Sequence, residues 1–292
     1  MSALLEIDGL EVRLDGGARL LRGVSLAVEA GRVVGLVGES GAGKTMVSRA
    51  VLGILPGNAH ITGGAIRFDG RDITRLPEVG RRHLLGREIA FIPQNPMTAL
   101  NPVARIGPQV TDVLRLHLGM DRTAANVRAL QLLRDVHLRD PERVLRAFPH
   151  ELSGGQRQRV LIAIAFACRP RLVIADEPTT ALDVTVQKQI LRLIRELQAG
   201  SGTAILFITH DLGVVAKLCE HVVVMHGGRV LESAPAAALF GRPAHEYTRA
   251  LLAATPRFDR PGDLLRPVPA DLAARLEAEV RRLDGDSPDA VA

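Results

Sequence analysis

The sequence predicts an α/β fold with a mostly parallel sheet, an antiparallel β subdomain and an inserted α-helical subdomain. Runs of consecutive apolar residues, typical of buried parallel strands, occur at Val33–Val37, Leu172–Ala175 and Ala204–Ile208. The start of the chain instead alternates around a turn at Asp15-Gly16-Gly17, which indicates antiparallel strands over Leu4–Leu14 and Leu20–Val28. From about residue 94 to 159 the strand pattern disappears, which leaves room for the helical subdomain.

Helices and a hairpin complete the predicted fold. Apolar residues recur at helical spacing over Val110–Leu118, Thr123–Val136 and Pro141–Ala147. Val160–Cys168 is the most apolar helix candidate, and it is too short to span a membrane, so we expect a core helix. Near the end, Val222–Met225 and Arg229–Leu231 flank Gly227-Gly228, a pattern typical of a β-hairpin.

A glycine-rich loop follows the first parallel strand and matches the phosphate-binding pattern G-x-x-x-x-G-K-[ST]. Its residues are Gly38, Glu39, Ser40, Gly41, Ala42, Gly43, Lys44 and Thr45. The helix predicted over Thr45–Leu55, ended by Pro56-Gly57, would point the positive end of its dipole at the β-phosphate. We therefore expect Lys44 to reach the β- and γ-phosphates and Thr45 to bind Mg²⁺, in the core of a P-loop NTPase.

Two adjacent carboxylates, Asp176 and Glu177, follow the apolar run that starts at Leu172. This position is the carboxyl edge of a parallel sheet, where open α/β folds bind ligands. We expect Asp176 to hold Mg²⁺ directly or through water, and Glu177 to be the general base toward the attacking water. The pair alone is a weak signal, because acidic residues are also common where helices begin.

Further polar motifs accompany these two in a fixed order along the chain. They are Gln94 after a strand-like run, the LSGGQ sequence Leu152–Gln156, Asp183, and His210 after the run that ends at Ile208. An ordinary P-loop kinase or GTPase would leave LSGGQ, Gln94 and His210 unexplained.

With these motifs in this order, the chain resembles the nucleotide-binding subunits of ATP-binding cassette (ABC) transporters over about Leu5–Pro256. The resemblance implies a nucleotide-binding domain over 1–256, with its helical subdomain at about 95–160, and a tail of unknown role over 257–292. In that family two cassettes dimerise head to tail, and the LSGGQ of one closes over the ATP held by the other. No internal repeat is evident, so the second cassette must be another chain.

The resemblance also implies roles for single residues, with ATP and Mg²⁺ as the cofactors. Ser153, Gly154, Gly155 and Gln156 would bind nucleotide in the partner's site, the first three at the γ-phosphate. Gln94 would sense Mg²⁺ and the attacking water, and His210 would contact the γ-phosphate. Asp183 would help connect the two sites of the dimer.

Three stretches outside the general motifs resemble the oligopeptide/dipeptide/nickel importer branch of the family. They are Gln94–Val103, Thr179–Gln187 and His245–Leu252. The branch implies two transmembrane permease subunits, a second cassette that we expect to be a different chain although a homodimer is possible, and an extracytoplasmic solute-binding protein that acts indirectly. The protein would then lie on the cytoplasmic face of the inner membrane as a peripheral subunit, and its cargo, peptide, nickel or another small solute, stays open.

The chain departs from the family pattern in three places. The segment Leu14–Leu21 lacks the aromatic residue that usually stacks on adenine, so Leu14 or Arg19 would have to cover the base and we expect weaker base selectivity. The two cysteines, Cys168 and Cys219, lie outside the tail, so the iron–sulfur site that some members of the branch have in their cysteine-bearing tail cannot be inferred for this chain. The tail beyond residue 256 matches nothing specific.

Composition is consistent with an intracellular ATPase and leaves one rival. The 292 residues carry a net charge of +5, contain two distant cysteines and begin without a charged and apolar leader, which argues against export. The basic residues allow a surface for nucleic acid or anionic lipid headgroups, but an arginine-rich solvated face is the favoured interpretation. One Tyr with no Trp gives little base stacking, so no nucleic acid is expected. The rival is a soluble ABC-type ATPase acting on nucleic acid or ribosomes, but those usually carry a coiled-coil insertion, zinc cysteines or two cassettes.

Overall fold

The computed structural model describes residues 3–180, 182–254 and 268–284. The described residues form two compact units, the first within 1–28, 33–75 and 208–292, and the second within 29–32 and 76–207. The strands are β1 Ala3–Leu14, β2 Arg19–Glu29, β3 Val33–Val37, β4 Ala59–Phe68, β5 Arg71–Asp72, β6 Ile89–Ile92, β7 Leu172–Asp176, β8 Ala204–Thr209, β9 His221–His226 and β10 Arg229–Pro235. The helices are α1 Lys44–Leu52, α2 Glu78–Leu84, α3 Pro96–Ala99, α4 Ile106–Leu118, α5 Arg122–Asp135, α6 Pro141–Arg146, α7 Gly154–Phe166, α8 Val184–Ser201, α9 Leu212–Leu218, α10 Ala236–Gly241, α11 Glu246–Ala254 and α12 Ala270–Asp284, with a 3₁₀ turn at Pro149–Glu151.

The first unit contains a sheet with the order β2-β1-β4-β5, in which β1 and β4 are antiparallel. Burial alternates along β1, where Leu5, Ile7, Leu10 and Val12 are at most 2% exposed, so one face of this sheet packs into the core. In the same unit β3 pairs with β9 in parallel, and β9 pairs with β10 as the predicted hairpin. The predicted antiparallel layer at the start of the chain is therefore confirmed, and β4 is an additional strand of it.

The pattern around β4 did not predict a strand because two glycines interrupt it. Gly64 has a φ of +78°, and a Cβ there would lie 2.3 Å from the carbonyl oxygen of Gly9 on β1. The pairing register shifts at the same point, between Asp8 and Glu11. A bulge of this kind needs a residue without a side chain, and it hides the alternation that indicates a strand.

The helix that follows the phosphate loop is shorter than predicted. Helix α1 ends at Leu52, not at Leu55, because Gly53 adopts the left-handed conformation and donates its backbone N–H to the carbonyls of Arg49 and Ala50. A glycine in this conformation ends a helix at once, whereas Pro56 lies too far along the chain to set the boundary.

The second unit contains β6 and β7, which pair in parallel. The part of β8 that belongs to this unit, up to Phe207, lies next to β7. All five residues of β7 are buried, as expected for a strand covered on both faces. The three predicted helices of the middle region are α4, α5 and α6, and α7 packs against α4, α5 and β6. Helix α4 begins at Ile106, four residues before the predicted start. The predicted α/β class, with its antiparallel and helical parts, is confirmed.

Candidate functional site

The predicted phosphate loop connects β3 to α1 in the first unit. Gly38 has a φ of +154°, and a Cβ there would lie 2.2 Å from the carbonyl oxygen of Met225. Gly43 has a φ of +99° and occupies the N-cap of α1, where it offers no side chain to the first turn of the helix. The loop therefore brings main-chain atoms together at a helix N-terminus, which is the geometry that binds phosphate.

The side chain of Lys44 bonds to the main chain of this loop. Its side chain is buried, with 5% of the residue exposed, and its Nζ donates to the carbonyl oxygens of Gly38 at 2.8 Å and Glu39 at 2.9 Å. An ammonium group suits carbonyl and phosphate oxygens alike, because it is a compact charge with three donors. The oxygen-rich set predicted for Mg²⁺, the Thr45 hydroxyl, the Asp176 carboxylate and the Gln94 amide, also has the hard ligands that this ion prefers.

His210 follows the last residue of β8 and is exposed. The chain turns sharply after it, because Asp211 accepts hydrogen bonds from the backbone N–H groups of Gly213 and Val214 and so caps α9. The Asp211 backbone N–H in turn donates to the Thr209 hydroxyl at 3.0 Å. His210 therefore lies at the end of a strand, on a turn held by the Thr209 and Asp211 side chains.

The predicted carboxylate pair lies in the second unit at the end of β7. Asp176 is the last strand residue and is 3% exposed. Glu177 follows with a φ of +47°, an unusual backbone conformation for a residue with a side chain, and strain of this kind often accompanies function. Two side chains donate to the same oxygen, Oε2 of Glu177: the Nε2 of Gln94 at 2.9 Å and the hydroxyl of Thr180 at 2.9 Å. The structure thus brings Gln94 and Glu177 together, although 83 positions separate them.

The LSGGQ sequence forms the start of α7. Ser153 is the N-cap, its hydroxyl accepts from the Gln156 backbone N–H at 3.3 Å, and the Gln156 side chain accepts from the Ser153 backbone N–H at 3.0 Å. This reciprocal capping box fixes both residues at the positive end of the helix. Gly155 allows close packing, since a Cβ there would lie 2.8 Å from Cγ1 of Val186 in the first turn of α8.

Asp183 caps α8 beside the same helix start. Its Oδ1 accepts from the backbone N–H groups of Thr185 at 3.0 Å and Val186 at 2.9 Å. The side chain predicted to connect two nucleotide sites therefore has a structural role within one chain as well.

The segment predicted to cover the base shows one further contact. The Nε of Arg19 lies 3.8 Å from Oδ1 of Asp284, the last residue of α12. Neither α12 nor this ion pair was predicted, because the local pattern of the tail gave no reason to connect it with β2.

The comparisons with known proteins decide the family. A model of the ABC transporter family matches residues 21–180. The chain belongs to the ABC transporter family. The cassette that this family shares binds and hydrolyses ATP, so the predicted ATPase activity and ATP binding are confirmed, and the soluble alternative is not favoured.

A second family model, the oligopeptide/dipeptide transporter C-terminal region, matches residues 231–280. The predicted branch of the ABC family is therefore confirmed. The match also corrects one expectation: we expected no family likeness beyond residue 256, but it extends to residue 280. Part of this region, residues 255–267, lies outside the described residues.

The match with curated relatives covers most of the length of each relative. A probable peptide ABC transporter ATP-binding protein of Sinorhizobium fredii is 49% identical over 87% of this chain and 77% of the relative. The dipeptide transport ATP-binding protein of Escherichia coli is 44% identical over 94% of this chain and 85% of the relative. The oligopeptide transport ATP-binding protein of Salmonella typhimurium is 44% identical over 92% of this chain and 81% of the relative.

Solved structures of ABC cassettes have the same fold. A dimeric ATP-binding cassette in a post-hydrolysis state, bound to ADP and Pi, gives a TM-score of 0.71 at 26% identity and covers 80% of this chain and 98% of that structure. A component of an ABC transporter complex from Clostridium perfringens gives 0.70 at 27% identity, covering 83% and 92%. Within the described ranges, no helix is both long and apolar enough to cross a membrane.

Proposed function

We propose that this ABC cassette is the ATP-hydrolysing subunit of an importer for peptides or a related small solute. The observation that carries the hydrolytic part is the Glu177 carboxylate, held by Gln94 and Thr180 at the end of a strand whose last residue is the buried Asp176. The C-terminal match at 231–280 and the peptide-transport names of the relatives support the peptide cargo.

Each predicted residue has a chemical task in this proposal. Lys44 and the N-terminus of α1 bind the phosphates, with Thr45 offering its hydroxyl as a metal ligand. Glu177 accepts a proton from the attacking water, which Gln94 and His210 help to orient. The two donors to Oε2 of Glu177 hold the carboxylate in one orientation for that transfer.

The metal and the signature complete the proposed chemistry. Mg²⁺, with Thr45, Asp176 and Gln94 as its ligands, would neutralise negative charge on the β- and γ-phosphates. The start of α7, with Ser153, Gly154, Gly155 and Gln156, donates to the nucleotide held by a second cassette, and Asp183 connects the two sites. The carboxylate count fits the metal, because Mg²⁺ in nucleotide sites is usually bound by one or two carboxylates plus phosphates.

We further propose the assembly and the domain limits. Two permease subunits, a second and different cassette, and an extracytoplasmic solute-binding protein would complete the transporter, with this chain on the cytoplasmic face of the membrane. The nucleotide-binding domain would comprise residues 1–256, with a helical subdomain at about 95–160 and a tail at 257–292. The peptide-transport names of the relatives support this assembly.

The experiment is to isolate the full-length Glu177→Gln protein from gently solubilised membranes with ATP and Mg²⁺, and to identify its companions by mass spectrometry. We expect two polytopic membrane subunits and a second cassette. Uptake of labelled di- and oligopeptides by cells that lack the chain should fall, with nickel uptake as the comparison. Co-purification with ribosomes or DNA and no membrane subunit would contradict the proposal.

A further inference from the structure

The phosphate loop carries a side-chain contact from the far end of the chain. The hydroxyl of Tyr247, on α11, donates to Oε2 of Glu39 at 2.9 Å. Glu39 is the second residue of the loop, and 208 positions separate the partners. Tyr247 is the one tyrosine in the sequence and is 1% exposed, so its ring is buried.

The surroundings fix Tyr247 as the donor in this hydrogen bond. Burial raises its pKa, so the phenol stays protonated in the physiological range. The ring of His226 packs on the tyrosine ring with centroids 4.8 Å apart, and its Nδ1 lies 4.0 Å from the same Glu39 oxygen. Burial lowers the pKa of His226, so the imidazole is a weaker partner for the carboxylate than the phenol.

The backbone just before Tyr247 is anchored as well. The carboxylate of Glu232 on β10 accepts hydrogen bonds from the backbone N–H groups of Ala244 at 2.8 Å and His245 at 2.9 Å. The Tyr247 backbone N–H donates to Nδ1 of His245 at 3.1 Å. These bonds set the entry to α11, and so they set the direction in which the tyrosine leaves the helix.

A second set of contacts reaches the loop through the β9–β10 turn. The Gly228 backbone N–H donates to the carbonyl oxygen of Ala42 at 3.0 Å. Arg22 donates to the Gly227 carbonyl at 2.8 Å, and its Nε donates to Asp284 of α12 at 2.8 Å. Helix α11, which lies within the matched C-terminal region, therefore touches the phosphate loop directly through Tyr247. The β9–β10 turn touches the loop through Gly228, and Arg22 connects that turn to Asp284 of α12.

The contact matters because Glu39 also positions the lysine of the phosphate loop. Its carbonyl oxygen accepts from Lys44 Nζ, while its carboxylate accepts from Tyr247, so one residue is held from both sides. The side chain of Glu39 is about half exposed, and without the tyrosine it could turn into solvent. Loss of the bond would then loosen the carbonyl that orients the ammonium group.

We propose that Tyr247 is a positioning residue of the ATP site, which acts through Glu39 to hold the phosphate loop and Lys44 in the geometry that binds ATP. The proposal rests on the phosphate-binding role proposed for the loop. Under this proposal the C-terminal region of this branch has a function in the cassette itself, because a shift of α11 would move Tyr247 and so change ATP affinity.

The test compares full-length variants by isothermal titration of ATP with Mg²⁺, and by ATPase kinetics in the assembled transporter. Tyr247→Phe keeps the ring and removes the hydroxyl, and we expect ATP affinity to fall and KM to rise about three- to tenfold, as for one hydrogen bond to a partly exposed charge. We expect kcat to change less than about twofold, because the loss falls on binding. Glu39→Ala, at an exposed side chain, should give the same loss, and the double variant should lose no more than either single one.

A matched control breaks a contact between α12 and Glu246, the neighbour of Tyr247 on α11. Arg275→Gln removes the exposed pair between Arg275 and Glu246, next to Tyr247, without touching Glu39, and should leave ATP affinity unchanged. Unchanged affinity in both Tyr247→Phe and Glu39→Ala, or additive losses in the double variant, would overturn the proposal. Retained ATP affinity in Lys44→Ala would instead overturn the phosphate role of the loop, so the two failures are distinguishable.

Discussion

The phosphate loop and the Glu177 carboxylate are stabilised in different ways. The loop depends on glycines with positive φ, a close approach to the Met225 carbonyl and a buried lysine that donates to two loop carbonyls. Glu177 is oriented by two side-chain donors, both from exposed residues. The two regions therefore depend on different residues. Binding and hydrolysis should therefore be separable by mutation.

The largest expected effect is the loss of ATPase rate when Glu177, the proposed general base, is replaced. Glu177→Gln keeps the size and the hydrogen-bond acceptor but removes the proton acceptor, so kcat should fall about 100- to 10,000-fold while ATP affinity stays close to normal. ATPase rates of the assembled transporter and ATP titrations of the purified chain measure the two quantities. A rate near that of the unchanged protein would show that another group takes the proton.

The second largest expected effect is the loss of ATP affinity when Lys44 of the phosphate loop is replaced. Lys44→Ala removes a buried cation that donates to Gly38 and Glu39, and ATP affinity should fall about 10- to 150-fold, as for hydrogen bonds to charged groups. Lys44→Arg is the matched control for charge alone, and it should recover only part of the affinity because the guanidinium is larger and planar. Full affinity in the alanine variant would mean that the loop holds phosphate without its lysine.

A smaller effect should follow from removing one donor to Glu177. Thr180→Val keeps the shape of the side chain but not its hydroxyl, so kcat should fall about three- to tenfold with no change in ATP affinity. A loss of affinity without a loss of rate would mean that Thr180 serves binding rather than the orientation of the base.

The smallest effect concerns two helix caps of the same kind. Asp183 caps α8 and Asp121 caps α5, each by accepting from two backbone N–H groups. Asp183→Ala and Asp121→Ala should each reduce the free energy of unfolding by about 1 kcal/mol, which denaturant titration measures. Only Asp183→Ala should also reduce ATPase activity, since Asp121 has no predicted role at a nucleotide. Equal activity losses would reduce Asp183 to a structural cap.

The residues that the sequence predicts well are those whose position depends on a short stretch of chain. The loop from Gly38 to Thr45 and the pair Asp176 and Glu177 each depend on a few neighbouring residues, so their local placement follows from pattern alone. The α/β class follows from the same short apolar runs.

What the sequence did not predict depends on distant or unusual contacts. The bond between Tyr247 and Glu39 joins positions 208 apart, and the bond between Gln94 and Glu177 joins positions 83 apart. No periodicity marks such pairs. The left-handed backbone of Glu177 is equally hidden, because only a few per cent of residues other than glycine adopt it and the surrounding structure holds it there.

The most direct test of the separation between binding and hydrolysis measures ATP affinity and ATPase rate in parallel for Lys44→Ala and Glu177→Gln. We predict that Lys44→Ala loses affinity, whereas Glu177→Gln binds ATP normally and loses its rate by at least about 100-fold. If Glu177→Gln lost affinity as severely as Lys44→Ala, the phosphate loop and the catalytic carboxylate would act as one element, and binding would not be separable from hydrolysis.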